Sequence, residues 1–310
     1  MHSGRQYTLK EFLIWTRRDI FKLLIIALFP TLAYHFLDWK FIAIPWVPIA
    51  LIGTAAAFIV GFKNTQTYNR LWEARQIYGS IVNTSRTLGI MTKDFIAVDK
   101  KTHLEIINRH CAWLTALRFQ LRESRSWENL DKSYNSEYSQ LYKIVEKETK
   151  VEEELKNYLS EEELTYILSK KNRAAQLISL QSKKLKVLAD EGKIENFRYI
   201  ELSKRLADLY DHQGKCERIK NFPYPRQFAS INLFFIWLFV TMLPFGMLNE
   251  FQKMGENFIW LTIPFTIVVG WVFTSMEKVG ESTENPFEGN ANDVPITAMS
   301  RTIEIDLKDM

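Results

Sequence analysis

The sequence predicts an all-α protein: four membrane-spanning helices and a helical cytosolic domain, with several copies of the chain gathered around a shared axis. Three features carry that expectation. Apolar runs almost free of charge lie in two pairs near the ends of the chain. The polar middle shows helical spacing and no strand alternation. One stretch, Ala43 to Arg86, passes from an apolar run into a polar helix with no breaker between the halves.

Bulk composition hides this segregation. With 310 residues, a hydrophobic share of 47% and a mean hydropathy of −0.15, the average resembles a soluble protein. The 21 Phe, 12 Tyr and 9 Trp bring the aromatic share to 14%, as suits interfacial belts. A net charge of +4 without a dense basic cluster gives no nucleic-acid footprint. Cys111 and Cys216 stand far apart, outside any CxxC pair, and are expected as free thiols with neither disulfide nor metal site. No small-residue cleavage site follows the first apolar residues, so no cleavable signal peptide is expected.

In chain order, residues 1–20 read as a polar helix ending in Arg17 and Arg18. The first span is Phe21 to Leu37, with Pro30 inside it, and the second runs from about Phe41 to Phe62. In the polar stretch 63–226, Leu104, Ile107, Cys111, Leu114 and Leu117 keep the spacing of an amphipathic helix. Residues 122–158 read as a solvated linker and an exposed helix. Ser160 with Glu161 to Glu163 is a capping box that starts a helix. Helices are expected over 174–190 and 196–212, the latter broken near Gly214. Third and fourth spans follow at Phe228 to Leu248 and Phe258 to Met276, inside a membrane pair covering 227–277. In the tail, 278–310, an irregular stretch leads into a short helix carrying Ile296, Met299, Ile303 and Leu307. Lys and Arg crowd one side of the four spans, which places both termini and the polar domain in the cytosol and the spans in the cytoplasmic membrane.

Along the second span Thr54, Phe58 and Phe62 recur every fourth residue and share a face. Gly53, Ala55, Ala57 and Gly61 are small enough for close helix approach. Four helices of one chain enclose little more than their own side chains, so a pore needs one such helix from each of several copies. Rings of Phe58 and Phe62 form an apolar constriction that gates by dewetting, with a hydroxyl ring from Thr54 outside it. No ionisable residue sits mid-span, which argues against a proton-coupled pump. The sign of the permeant ion stays open.

The stretch GFKNTQTYNRLWEARQIYGSIVNTSR, Gly61 to Arg86, resembles the bestrophin family. GKCERIKNFPYP (214–225), LPFG (243–246) and ENPFEGNANDVP (284–295) agree with the family in order, whereas 122–158 carries no family pattern. The resemblance implies a homopentamer whose second membrane helix lines a narrow neck. Matching Gly61-Phe62 places that neck at Thr54, Phe58 and Phe62, where Thr54 departs from the usual apolar trio. A second, cytosolic constriction falls near Gln176 to Ile178. Trp72, Glu73 and Arg75 anchor the helix at the membrane surface, and Cys216, Glu217 and Arg218 fix the approach to the third span. Animal members resemble calcium-activated chloride channels with acidic runs after NPF. Here only Glu288 and Asp293 follow, too few carboxylates for a calcium clasp, and Glu281, Glu284 and Glu288 are expected on a solvated or intersubunit surface. Bacterial relatives are associated with cation permeation.

The expected function is therefore passive conduction of small monovalent ions through a pentamer in the lipid bilayer, with no cofactor, no metal and no enzymatic activity. The rival is a membrane-anchored helical scaffold that binds a partner without conducting.

Overall fold

The computed structural model describes residues 6–129, 132, 135 and 143–310. Helix α1 spans Leu9–Phe36, α2 Trp46–Phe95 and α3 Lys100–Arg122. Two short turns, α4 (Val145–Glu148) and α5 (Val151–Leu155), precede α6 (Glu161–Leu168), α7 (Arg173–Asp190) and α8 (Asn196–Asn221). Helices α9 (Arg226–Gln252), α10 (Thr262–Thr283) and α11 (Ile296–Asp309) complete the chain. Among the described residues, the β pairing is one isolated bridge between Ile96 and Ile194.

The polar N-terminal helix and the first span are one helix. Thr8 caps it: its hydroxyl accepts from the Glu11 N–H (3.3 Å) and its own N–H donates to the Glu11 carboxylate (2.7 Å). Past a turn in which Asp38 takes a positive φ of 52°, α2 runs unbroken for 50 residues, about 75 Å. A hydrocarbon core takes up only about 20 residues of such a helix, so more than half of it lies beyond the membrane. By length and composition, four helices among the described residues can cross a bilayer: Leu9–Phe36, Trp46–Phe95, Arg226–Gln252 and Glu256–Thr283, the last entering through a 3-10 turn at Glu256–Leu261.

Two cores result. In the membrane part, Leu23, Ile49, Val60, Phe239, Val240 and Leu243 are fully or almost fully buried where α1, α2, α9 and α10 meet. Backbones come close there: a Cβ on Gly270 would lie 2.5 Å from Leu23, and one on Gly53 2.4 Å from the Phe239 ring. The larger core lies in the polar part and joins the second half of α2 to α3, α7, α8 and α11.

Several expectations need correction. Of the apolar positions read on one face of α3, Ile107, Cys111, Leu114 and Leu117 are buried, but Leu104 is 48% exposed and burial extends all round the helix from Arg109 to Arg118. It is the central helix of the polar core, and its arginines are matched inside: Arg109 by Glu163, Arg118 by Glu146 and Glu154. The stretch 122–158 falls partly outside the described residues, but Asn129, Glu146 and Leu155 are buried and not solvated. Gly214 does not break α8, which continues to Asn221. One helical glycine costs about 1 kcal/mol, and the buried Gln213, Cys216 and Ile219 around it hold the helix against the core. Glu284 and Glu288 are buried as well. At Ser160 the cap forms, the hydroxyl accepting from the Glu163 N–H at 3.3 Å.

Candidate pore-lining helix

At about 100° per residue, the buried residues Ile49, Gly53, Ala56, Val60, Lys63 and Thr67 of α2 fall in one sector. It is about 80° wide and packs on α9 and α10. Thr54, Phe58 and Phe62 fall in a second sector centred about 180° away. The three side chains thus share the face turned away from the rest of their own chain. Phe58 is 78% exposed and Phe62 46%, the latter with its ring centroid 6.3 Å from that of Phe228. Thr54 is exposed, and its hydroxyl donates to the Ala50 carbonyl at 2.9 Å.

The same sector continues past the membrane part with different chemistry. Thr65, Asn69, Trp72, Gln76, Ser80, Asn83 and Thr87 occupy it, all uncharged and all but Trp72 small or medium polar residues. The hydroxyls of Thr65, Ser80 and Thr87 each donate to the carbonyl four residues back, at 3.0 to 3.1 Å. Their oxygen lone pairs, and not their hydrogens, therefore face outward. The opposite sector stays buried through Ala74, Tyr78, Ile81 and Ser85.

Small residues flank the outward stripe. Ala55 lies about 60° to one side and Gly61 about 60° to the other. A Cβ on Gly61 would meet nothing within 4 Å, whereas Gly53 is committed to Phe239 of its own chain. Of the small residues noted in the sequence, Gly53 is consumed by folding and Gly61 is not.

Below the phenylalanines α2 is clamped to α10. Lys63, 3% exposed, pairs with Glu277 at 2.8 Å. Asn64 donates to the Met276 carbonyl at 3.1 Å, and the Thr283 hydroxyl donates to that of Thr67 at 3.0 Å. Sequence reading passed over Lys63 and Glu277 because each looks like an interfacial charge. The available signal was angular, since Lys63 keeps the three- and four-residue spacing of Val60 and Thr67.

Behind this clamp the loop 284–295 is folded inward. Glu288 accepts from the Asn129 N–H at 2.9 Å and from the Asn290 amide at 2.6 Å. Asp293 accepts from the Gly289 N–H at 2.6 Å and pairs with Arg122 at 3.2 Å. Burial, and then the neighbouring Asp293 carboxylate, push Glu288 up to about 8. Burial likewise lifts Asp293 to about 6, against the pull of Arg122. Among the described residues no three His, Cys, Asp or Glu side chains are grouped to hold a metal ion.

The other sequence-singled residues are dispersed. Ile178 on α7 is 9% exposed and part of the polar core, while Gln176 is half-buried and accepts from the Tyr166 hydroxyl at 3.3 Å. Two residues apart on a helix, they do not share a face. Glu73 pairs with Arg218 of the same chain. Trp72 stacks on Tyr68 at 6.4 Å, and Glu217 accepts from Gln120, Asn172 and Gln213. Cys111 and Cys216 are free and buried, and burial pushes both thiols up to about 12.

An all-helical chain with four candidate spans, two of them joined by a long polar insertion, and one helix far longer than a bilayer defines a class of multi-pass membrane proteins. Comparison makes it specific: residues 16–309 match the Bacterial/Fungal Bestrophin family model, and the chain belongs to that family. The Voltage-dependent anion channel-forming protein YneE of Escherichia coli is 27% identical over 318 residues, covering 99% of this chain and 92% of the relative. A similarly named protein of Ralstonia nicotianae is 25% identical over 85% of this chain and 76% of its own length. A crystal structure of a bacterial bestrophin homolog from Klebsiella pneumoniae superimposes with a TM-score of 0.80 at 24% identity, covering 94% of this chain and 97% of that one. At that identity the likeness concerns the fold.

Proposed function

We propose that this chain is the subunit of a pentameric channel that passes small monovalent ions, with α2 of each copy facing the axis. The observation that carries the reading is the single outward face of α2, apolar at Phe58 and Phe62 and uncharged, mostly polar, from Thr65 to Thr87. A helix embedded in its own fold has no use for such a face, and a helix exposed only to lipid has no reason to continue it in water. In a five-fold ring the neighbours of each helix lie about 54° to either side of the inward direction. Ala55 and Gly61 stand near those directions, where small residues permit close approach.

The neck is then Thr54, Phe58 and Phe62. The phenyl rings close it by excluding water, and Thr54 hydrates its outer end. For the cytosolic constriction Gln176 is the better half of the pair, because Ile178 is turned into the core. The distribution of Lys and Arg supports a cytosolic polar domain and insertion in the cytoplasmic membrane. The channel-forming relatives support conduction over a purely anchoring role.

Two readings of ion sign are open to one measurement. The relatives' names favour anions. The hydroxyls of Thr54, Thr65, Ser80 and Thr87 favour cations, because their hydrogens point into the helix and their lone pairs outward. A reversal potential in asymmetric salt, on protein reconstituted in planar bilayers, decides between them. Conduction at the neck is tested by Phe58→Ala/Phe62→Ala, which is expected to raise ion flux in liposomes severalfold. Unchanged flux and selectivity would remove the neck from these residues.

A further inference from the structure

The outward face of α2 does not end at Thr54. Val47 and Leu51 lie in the same sector on its outer side, each within about 20° of the sector's centre, and each is 68% exposed. They make the face apolar again above Thr54, as Phe58 and Phe62 make it apolar below. From Val47 to Phe62 this wall is about 22 Å long, most of the roughly 30 Å of a hydrocarbon core. Thr54 is the only residue in that stretch whose side chain carries a polar atom. It stands about 4.5 Å along the helix from Leu51 and about 6 Å from Phe58.

Folding makes no use of this hydroxyl beyond its own helix. The neighbouring Gly53 packs on Phe239, whereas Thr54 is exposed on the opposite side of α2. A hydroxyl has one hydrogen and two lone pairs. The hydrogen of Thr54 is committed to the Ala50 carbonyl at 2.9 Å, the local bond by which threonine settles its donor inside a helix. What remains is an acceptor. It can receive a cation or a hydrogen of water, and it has no donor left for an anion.

We infer that the Thr54 hydroxyls of all copies together form a binding site for one partly dehydrated monovalent cation, with Leu51 as its outer lip and Phe58 as its inner one. The inference rests on the pentamer proposed above, because each copy supplies a single oxygen. An ion entering an apolar stretch gives up hydration that the wall does not return. A ring of oxygens between two such stretches returns part of it and divides one long barrier into two short ones. Selectivity then follows from the number of oxygen dipoles and their orientation. The oxygens are neutral, which suits a monovalent ion, whereas calcium takes six to eight oxygens with carboxylates among them.

The test records single-channel conductance of the full-length protein in planar bilayers over a range of NaCl concentrations. Wild type is expected to reverse near the sodium potential and to saturate as NaCl rises. Thr54→Val keeps the branched shape and removes the hydroxyl. Its conductance at low salt is expected to fall about tenfold, the worth of roughly one hydrogen bond to an ion, and its saturation to disappear. Thr54→Ser, which keeps the oxygen, is expected to conduct like wild type. Leu51→Thr adds a second hydroxyl ring about one turn further out and is expected to raise conductance. Unchanged conductance and saturation in Thr54→Val overturn the site. So does a Thr54→Ser variant as weak as Thr54→Val, or a wild-type reversal at the chloride potential. If Thr54→Val is silent while Phe58→Ala/Phe62→Ala raises the flux, the site falls and the pore stands. If both are silent, α2 does not face the axis, and the proposed channel falls with the site.

Discussion

Phe58 stands 78% exposed on α2, while Glu288, in the loop behind the same helix, is 1% exposed. Apolar outside and ionisable inside is the reverse of the usual order, and each half has its own cause. The stripe of Thr54, Phe58 and Phe62 finds few partners within the chain, the Phe228 ring beside Phe62 among them, and in the proposed channel it would face other copies or confined water. The loop 284–295 has all its partners within the chain: Arg122 from α3, and Asn129 and Asn290 for Glu288. Exposure thus follows where partners come from rather than polarity alone. If the stripe serves assembly, as proposed, while the loop serves folding, substitutions in the two should separate by readout.

The largest effect is expected on the folding side. Arg122→Ala leaves the Asp293 carboxylate buried without its cation and frees the Val294 carbonyl that Arg122 also binds. Breaking a buried pair from one side costs about 3–5 kcal/mol. The melting temperature of the purified variant should fall far below that of any stripe variant. A wild-type melting temperature would mean that the loop is not held by this pair.

Next comes a pH effect with a definite sign. Glu288 is lifted to about 8 from an ordinary 4.5, so the folded protein keeps its proton where the unfolded chain has lost it. Its contribution is fully present below about pH 4.5 and is lost as pH rises toward 8. Asp293, lifted to about 6, acts in the same direction over a lower range. The groups facing Glu288 are the acids Asp293, Glu128 and Glu284, with Lys220 matched to Glu128. Stability should therefore decline between pH 5 and 8, and Glu288→Gln should flatten the decline without changing flux through the neck. A variant whose melting temperature tracks wild type across that range would place the proton elsewhere.

The two regions were unequally legible in the sequence. Thr54, Phe58 and Phe62 could be read as one face because helical geometry alone sets it, and a 50-residue helix keeps the register. The family motif then fixed which turn to examine. The tail could not be read, because Glu284 and Glu288 in a Gly- and Asn-rich stretch look solvated until Asn129 and Arg122 arrive from over 150 residues away. On helix α3 the apolar spacing could be read, but not the burial of Arg109 and Arg118, which Glu163, Glu146 and Glu154 of other elements match inside. Gly214 was taken for a breaker because its local propensity is poor, and long-range packing overrode it. Spacing is local information, whereas the pairing of buried charges is not.

A pair of glycines about two turns apart sharpens the contrast on α2 itself. Gly53→Ala places a methyl 2.4 Å from the buried Phe239 ring, an overpacking worth about 1–3 kcal/mol. Gly61→Ala meets nothing in its own chain and removes a helical glycine, a gain of up to about 1 kcal/mol. Gly53→Ala should lower the melting temperature, and Gly61→Ala should leave it level or raised while loosening the oligomer in light scattering. If Gly61→Ala leaves the assembly intact, Gly61 does not face a neighbouring copy.

The smallest stability effect falls where the two regions meet. Glu73 and Arg218 form a pair with side chains 47% and 63% exposed, and exposed pairs contribute about 0–1 kcal/mol. Glu73→Gln should leave the melting temperature almost unchanged. Its electrical effect is another matter, because Glu73 lies at the edge of the outward stripe, about 60° from its centre. Neutralising it in every copy leaves a ring of Arg218 cations beside the wide part of the path. The reversal potential should then move toward anions at low ionic strength, where charges act over about 30 Å, and return toward wild type near 0.15 M salt, where the range is about 8 Å. A potential that does not move at low salt would put Glu73 outside the permeation path and confine the stripe to the membrane half of α2.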